Sequence, residues 1–146
     1  MKINHKKVVY EGIEFDSITE RDYYIFLKQQ PDIVDIELQP QYELVKPFTV
    51  ECSKCRGVGK LPSPKTGKPI QCRTCEGDGW KNRQAWTYTA DFLVTFDDGY
   101  QEVIDVKPSS KMFLDKAFPN KKKMWEKKFG KELIVVKKIK GEWVRK

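Results

Sequence analysis

Apolar and polar residues alternate with a period of two along most of this chain, and the period lengthens to that of a helix in two places. The alternation is cleanest from Thr87 to Lys107, TYTADFLVTFDDGYQEVIDVK, which predicts two β-strands joined by a turn at Asp97-Asp98-Gly99. On the first strand Ala90, Phe92, Val94 and Phe96 fall on one side and Asp91 on the other. On the second, Ile104 and Val106 share the apolar side, opposite Asp105 and Lys107. One hairpin face is therefore expected to present Asp91, Asp105 and Lys107 together, backed by a buried apolar face.

Upstream, KVVYEGIEF predicts a short hairpin turning at Glu11-Gly12. Ser17-Ile18-Thr19-Glu20 matches a capping box, and the helix it opens runs through RDYYIFLKQQ, with Tyr23, Phe26 and Leu27 as its stripe, to a stop before Pro31. Glu20 either closes the cap or, if the helix packs beside the hairpin, adds a third carboxylate to the same face. Strands follow at Ile33–Leu38 and Tyr42–Val45, with Gln39 either a turn residue beside Pro40 or a reach toward the site. Downstream, a short helical segment is expected from Lys111 to Phe118. A helix capped by Asn120 follows, with Met124, Trp125 and Phe129 inward, its lysines outward and Gly130 as its stop. ELIVVKKI is a strand, and Gly141-Glu142 turns into a terminal WVRK.

The length, 146 residues, suits one domain with a small insert. No run approaches the roughly 20 apolar residues of a membrane span, and MKINHKKVVYEGIEF turns polar again at Glu11, unlike a secretory signal. The expectation is an intracellular, cytoplasmic protein with no membrane partner. The net charge of +7 is unevenly spread: residues 1–51 balance to −4, 52–82 to +5, 83–106 to −4 and 107–146 to +10. Basic blocks thus flank acidic ones, an arrangement that draws in a polyanion and leaves the carboxylates needing a cation. Lys111, Lys121, Lys122, Lys123, Lys127 and Lys128 are the candidate DNA contacts; alternatively the last five are the solvated face of a helix. His5 is the one histidine and sits in a basic N-terminal segment, where a surface role is expected, so Ser–His–Asp and Cys–His chemistry are disfavoured.

All four cysteines lie in two CxxCxGxG knuckles, Cys52/Cys55 and Cys72/Cys75, spaced C-x₂-C-x₁₆-C-x₂-C. Four thiolates suit tetrahedral Zn²⁺ in a structural role, and the knuckle glycines allow backbone amides to turn toward the sulfurs. Disulfides are the alternative, disfavoured inside a cell. The repeat resembles the cysteine-rich zinc module of the DnaJ chaperones over residues 52–79, with one site where that family has two, and no chaperone role is carried over. Its basic linker, LPSPKTGKPI, is an exposed loop that can touch DNA.

Phosphodiester hydrolysis needs a metal to polarise the phosphoryl oxygen, an activated water, and positive charge for the transition state. Asp91 and Asp105 can bind such a metal, the Val106 carbonyl lies between the Asp105 and Lys107 side chains as a further ligand, and Lys107 can orient water or stabilise charge.

Glu20 on an early helix, Asp91 in TADF, and Asp105-Val106-Lys107 after a DDG turn together resemble the PD-(D/E)xK nuclease superfamily. Closest in pattern are small phage-encoded endonucleases, including Holliday-junction resolvases; TnsA-type transposon endonucleases are similar around the motif. The likeness spans residues 8–45 and 84–138. It implies an α/β fold with a restriction-endonuclease-like core, a central mixed β-sheet flanked by helices, built from residues 1–46 and 83–146, with the zinc insert at 47–82. It implies Glu20, Asp91 and Asp105 as Mg²⁺ (or Mn²⁺) ligands and Lys107 as the catalytic lysine. It also implies branched DNA as substrate, a homodimer, and a phage-encoded protein acting in a bacterial host. Ala90 stands where the name-giving Pro would be, and Asp rather than Glu at 105. Competing readings are cleavage of duplex DNA, a DNA-binding accessory protein that does not cleave, and a chaperone-like zinc module whose basic face meets an acidic protein.

Overall fold

A computed structural model describes residues 7–108 and 116–146, so the expectations for His5, Lys111 and the segment 111–115 lie outside the described residues. In chain order the elements are β1 (Val8–Tyr10), β2 (Ile13–Phe15), α1 (Ile18–Lys28), β3 (Ile33–Leu38), β4 (Gln41–Val45) and β5 (Phe48–Glu51). Then come β6 (Lys60–Pro62), β7 (Pro69–Gln71), β8 (Trp80–Arg83), β9 (Trp86–Thr89) and β10 (Phe92–Phe96). Last are β11 (Gln101–Val106), α2 (Phe118–Phe129), β12 (Ile134–Ile139) and β13 (Glu142–Arg145). They form two compact units, one running to Tyr42 and resuming at Tyr88, the other Glu43–Thr87.

The first unit holds a mixed five-stranded sheet in the order β13-β12-β11-β10-β3. Its pairs are antiparallel except β11 with β12, and that parallel step runs through α2, since parallel neighbours need a crossover. In the central hairpin Phe92 sits opposite Ile104 and Val94 opposite Glu102. The face carrying Phe92, Val94 and Ile104 packs on Tyr23, Tyr24 and Leu27 of α1 with Phe15 and Val136. Each such buried side chain contributes about 1.5–3 kcal/mol. Ser17 caps α1 by accepting from the Glu20 amide at 3.1 Å. Glu11 and Gly12 turn the β1–β2 hairpin at φ 50° and 78°, the left-handed pair that a two-residue turn requires.

Three expectations are corrected. The strand foreseen across Thr87–Phe96 is two strands: β9 pairs with β4, and β10 pairs with β3 and β11. They part at Ala90-Asp91, opposite Gln39-Pro40, where Gln39 takes φ 50° and Pro40 has no N–H to donate. Backbone bonds from Ala90 N to Pro40 O (3.0 Å) and from Gln39 N to Asp91 O (3.0 Å) stitch the two bends together. Second, α2 starts at Phe118 rather than after Asn120, because Pro119 suits the first turn, where its missing N–H has no partner to lose. Third, of its three apolar residues only Trp125 is buried; Met124 and Phe129 remain exposed, Phe129 with its ring 5.3 Å from Tyr42.

The second unit is a pair of antiparallel ribbons, β5 with β8 and β6 with β7, closed at one end by the knuckles. Each strand entering a knuckle pairs with the strand leaving the other. Bonds from Cys52 N to Gly79 O and from Cys72 N to Gly59 O, both 2.9 Å, repeat the same contact in the two halves.

Candidate functional site

Sheet parity turns Asp105 and Lys107 away from the α1 face, and the structure keeps them together: Lys107 Nζ is 3.3 Å from Asp105 Oδ1, and both side chains are largely buried. Asp91 reaches the same place from the start of β10, where its Oδ2 accepts from the Val106 amide at 2.7 Å. Glu20 is buried on the first turn of α1. Its backbone amide serves the cap, while its carboxylate lies within the field of Asp16 and Asp105.

The electrostatics follow from burial. Desolvation, then the charges of Asp105 and Glu20, push Asp91 up to about 9 against the pull of the Val106 amide. Desolvation, then Asp16 and Asp105, push Glu20 up to about 7. The Asp105 carboxylate thus weighs on both Glu20 and Asp91 in this corner of the sheet.

Two aromatic residues complete it. The Tyr88 hydroxyl donates to Asp105 Oδ2, and burial, followed by that carboxylate, raises the phenol far above its ordinary range. Phe118, the first residue of α2, puts its ring 3.7 Å from Lys107 Nζ, a cation–π contact, and 6.2 Å from the Tyr88 ring. Sequence reasoning missed both. In an unbroken strand Tyr88 shares the side of Ala90 and Phe92, facing α1; the break at Ala90-Asp91 is what sends it to Asp105. Asp16 was also missed, though it stands one residue before the helix cap. Its Oδ2 accepts weakly from Gln39 Nε2 at 3.4 Å, so Gln39 is a turn residue whose side chain meets Asp16.

In the knuckle unit the four cysteines are buried and reduced, and their sulfurs all lie within 4.8 Å of one another. Cys52 and Cys72 are 4.0 Å apart and Cys55 and Cys75 3.7 Å, far beyond a disulfide but close to the about 3.8 Å edge of a tetrahedron with 2.3 Å Zn–S bonds. The amides of Gly59 and Gly79 donate to Cys55 and Cys75 at 3.2 and 3.1 Å. The Cys55 amide lowers the Cys52 thiol to about 6. Burial opposes ionisation of Cys72, yet the amides of Cys75 and Thr74 outweigh it and lower that thiol too. Cys75 moves the other way, to about 11, because burial and its neighbouring sulfurs resist a further charge. A cation among them removes that conflict, so the cluster can hold a metal such as zinc.

A family profile described as a protein of unknown function, DUF1064, matches residues 1–146. The chain belongs to that family. No curated protein and no solved structure matches it.

Of the candidate DNA contacts, Lys121 and Lys122 are half-buried near the start of α2 and Lys123, Lys127 and Lys128 are exposed along it. Lys128 Nζ lies 5.8 Å from the Phe129 ring. No helix among the described residues is long and apolar enough to cross a membrane.

Proposed function

We propose that this protein is a metal-dependent endodeoxyribonuclease with a restriction-endonuclease-like core, acting inside the cell on branched DNA such as a Holliday junction, and as a homodimer. The observation that carries the reading is the convergence of Asp91 on the Asp105-Val106-Lys107 triplet: one acid anchored on the Val106 amide, the other paired with the lysine.

The donor set fits Mg²⁺ (or Mn²⁺). Carboxylate oxygens are the ligands such a hard cation takes. Asp91 and Glu20 bind protons unusually well here because burial, then nearby carboxylates (Asp105 and Glu20 for Asp91, Asp16 and Asp105 for Glu20), penalise the ionised forms, and a divalent cation offsets the same repulsion. Asp105 already serves Tyr88 and Lys107, but each carboxylate oxygen has a second lone pair. When bound, the cation would polarise a phosphoryl oxygen and supply an activated water. Asp91, Asp105, Glu20 and the Val106 carbonyl are the residues to hold it. Lys107 holds positive charge beside them, where a developing oxyanion would be stabilised. Phe118 and Tyr88 restrict where that ammonium and that carboxylate can swing. The lysines of α2 would hold the DNA backbone; the helix has no acid in its first turn, so a phosphate there meets the positive end of its dipole unopposed.

A second reading is a DNA-binding protein that does not cleave. Both Asp105 oxygens are already engaged, one by the Tyr88 hydroxyl and the other by the Lys107 ammonium, which favours it. A nicking assay separates the two. Purified protein is offered a four-way junction, a duplex and single-stranded DNA, with Mg²⁺ or with EDTA. Paired Mg²⁺-dependent cuts confined to the junction support the resolvase reading, and cutting of all three supports a less selective nuclease. Tight binding without cleavage in either Mg²⁺ or Mn²⁺ overturns the nuclease assignment.

A further inference from the structure

The knuckle unit carries a feature that zinc binding does not use. In the β5–β8 ribbon Phe48 sits opposite Arg83 and Val50 opposite Lys81, while Thr49 faces Asn82 and Glu51 faces Trp80. Cross-strand partners share a face, with Cβ atoms about 4.5–5.5 Å apart. One face therefore holds Phe48, Val50, Lys81 and Arg83, and the ribbon's one acid, Glu51, is on the other. Phe48 is 48% exposed, too open to serve as core. Arg83 is exposed as well, with Nη1 at 3.5 Å from the Asn82 carbonyl.

The ribbon is anchored at the end away from Phe48 and Arg83. Its knuckle end is closed by the Cys52 N to Gly79 O bond, and the buried cysteine cluster begins at the next residue. An exposed ring with two cations beside it on the neighbouring strand, Arg83 directly opposite and Lys81 diagonal to it, matches the chemistry of a nucleotide: a base has a π-face to stack, and its phosphates pair with Lys and Arg. The unit as a whole supports a polyanion, with 9 basic and 4 acidic residues from Glu43 to Thr87. A protein-docking patch would be expected to have few charges at its centre, whereas here two cations of β8 stand beside the ring.

We infer that the Phe48–Arg83 face of this ribbon binds single-stranded nucleic acid, one base stacking on Phe48 and the flanking phosphates pairing with Lys81 and Arg83. The inference goes beyond the nuclease reading and does not need the carboxylates to cleave.

The test uses the full-length, zinc-loaded chain and fluorescein-labelled oligo(dT), read by anisotropy through a salt titration without added Mg²⁺. Phe48→Ala is expected to weaken binding about 5- to 10-fold or more with little change in salt slope, since it removes stacking and no charge. Phe48→Tyr should restore it. The Lys81→Ala/Arg83→Ala pair should flatten the log–log slope by about 1.4, two single-strand phosphate contacts' worth. Asn82→Ala, on the opposite face, should bind as the wild type does. Zinc content of one per chain in each variant shows that the unit has folded; Phe48→Tyr and Asn82→Ala keep the comparison informative if Phe48→Ala does not. Zinc-loaded Phe48→Ala and double variants that bind oligo(dT) as tightly as the wild type would overturn the inference. So would a wild type with no salt-dependent affinity, or a Phe48→Ala effect confined to the protein's own sedimentation mass, which would make this face a contact between copies.

Discussion

The Tyr88 hydroxyl donates to one oxygen of Asp105 while the Lys107 ammonium stands 3.3 Å from the other, so a buried carboxylate is held from both sides by residues far apart in sequence. Removing the phenol oxygen leaves a buried charged acceptor short of a partner, at a cost of about 1.5–3 kcal/mol. Tyr88→Phe should therefore lower the urea midpoint in metal-free buffer. Saturating Mg²⁺ should recover much of that loss, because a bound cation compensates the same carboxylate. Equal destabilisation with and without Mg²⁺ would mean that no cation reaches Asp105.

Asp91 and Lys107 part company in their expected effects on stability. Asn at position 91 still offers an oxygen to the Val106 amide and removes a charge that burial penalises. Asp91→Asn should abolish cleavage yet leave the metal-free protein as stable as the wild type, or more so, near neutral pH. Lys107→Ala should also abolish cleavage, but it strands Asp105, and breaking such a largely buried pair costs about 3 kcal/mol. Denaturation curves beside nicking rates check both. Unfolding of Asp91→Asn would mark that residue as structural.

The raised acids set a pH dependence with a definite sign. Glu20 at about 7 and Asp91 at about 9 in the folded chain hold protons that their unfolded forms release near ordinary carboxylate values. Between those limits the folded state binds more protons than the unfolded, so stability falls as pH rises. No penalty exists below the unfolded values; it grows through the window and is complete above about 9. Metal-free protein should melt progressively lower from about pH 5 to about pH 9, and Mg²⁺ should flatten the trend most at the alkaline end. Asp91→Asn should lose the upper part of the slope. A wild-type curve rising over this range would contradict the burial argument.

The cysteine cluster predicts one tetrahedral metal per chain. Cobalt substitution should give thiolate charge-transfer bands, and Cys52→Ser or Cys75→Ser should release the metal and unfold at least the Glu43–Thr87 unit. Normal zinc content in both variants would exclude four-thiolate ligation.

Gly59 isolates the backbone's part in that cluster. It adopts φ 82°, and a Cβ there would lie 2.3 Å from the Gly77 carbonyl oxygen. Gly59→Ala should cost more than the about 1–3 kcal/mol of a strained backbone alone, with zinc affinity falling accordingly. Gly67, which takes φ 72° but has open space around it, is the control: Gly67→Ala should cost only the backbone part. Equal losses at the two positions would remove the close approach as the cause.

What the sequence alone determined is what local rules govern. Period-two alternation placed Asp91, Asp105 and Lys107 on one side of a hairpin, the Ser17 cap began α1, and the cysteine spacing assembled a four-sulfur cluster, because strand parity, capping and short-loop geometry each involve neighbours in the chain. Tertiary structure alone decided the rest. Whether Glu20 is merely a cap residue or a buried acid depends on how α1 packs on the sheet, and its side chain is buried within the field of Asp105. Tyr88 reaches Asp105 because Pro40, in the bend between β3 and β4, breaks the ladder opposite Ala90, and Phe118 reaches Lys107 because α2 begins at Phe118, three residues before the start an Asn120 cap would give. Periodicity within one strand carries no information about where a partner strand fails to donate. The aromatic surroundings of the acids were therefore invisible until the strands were paired.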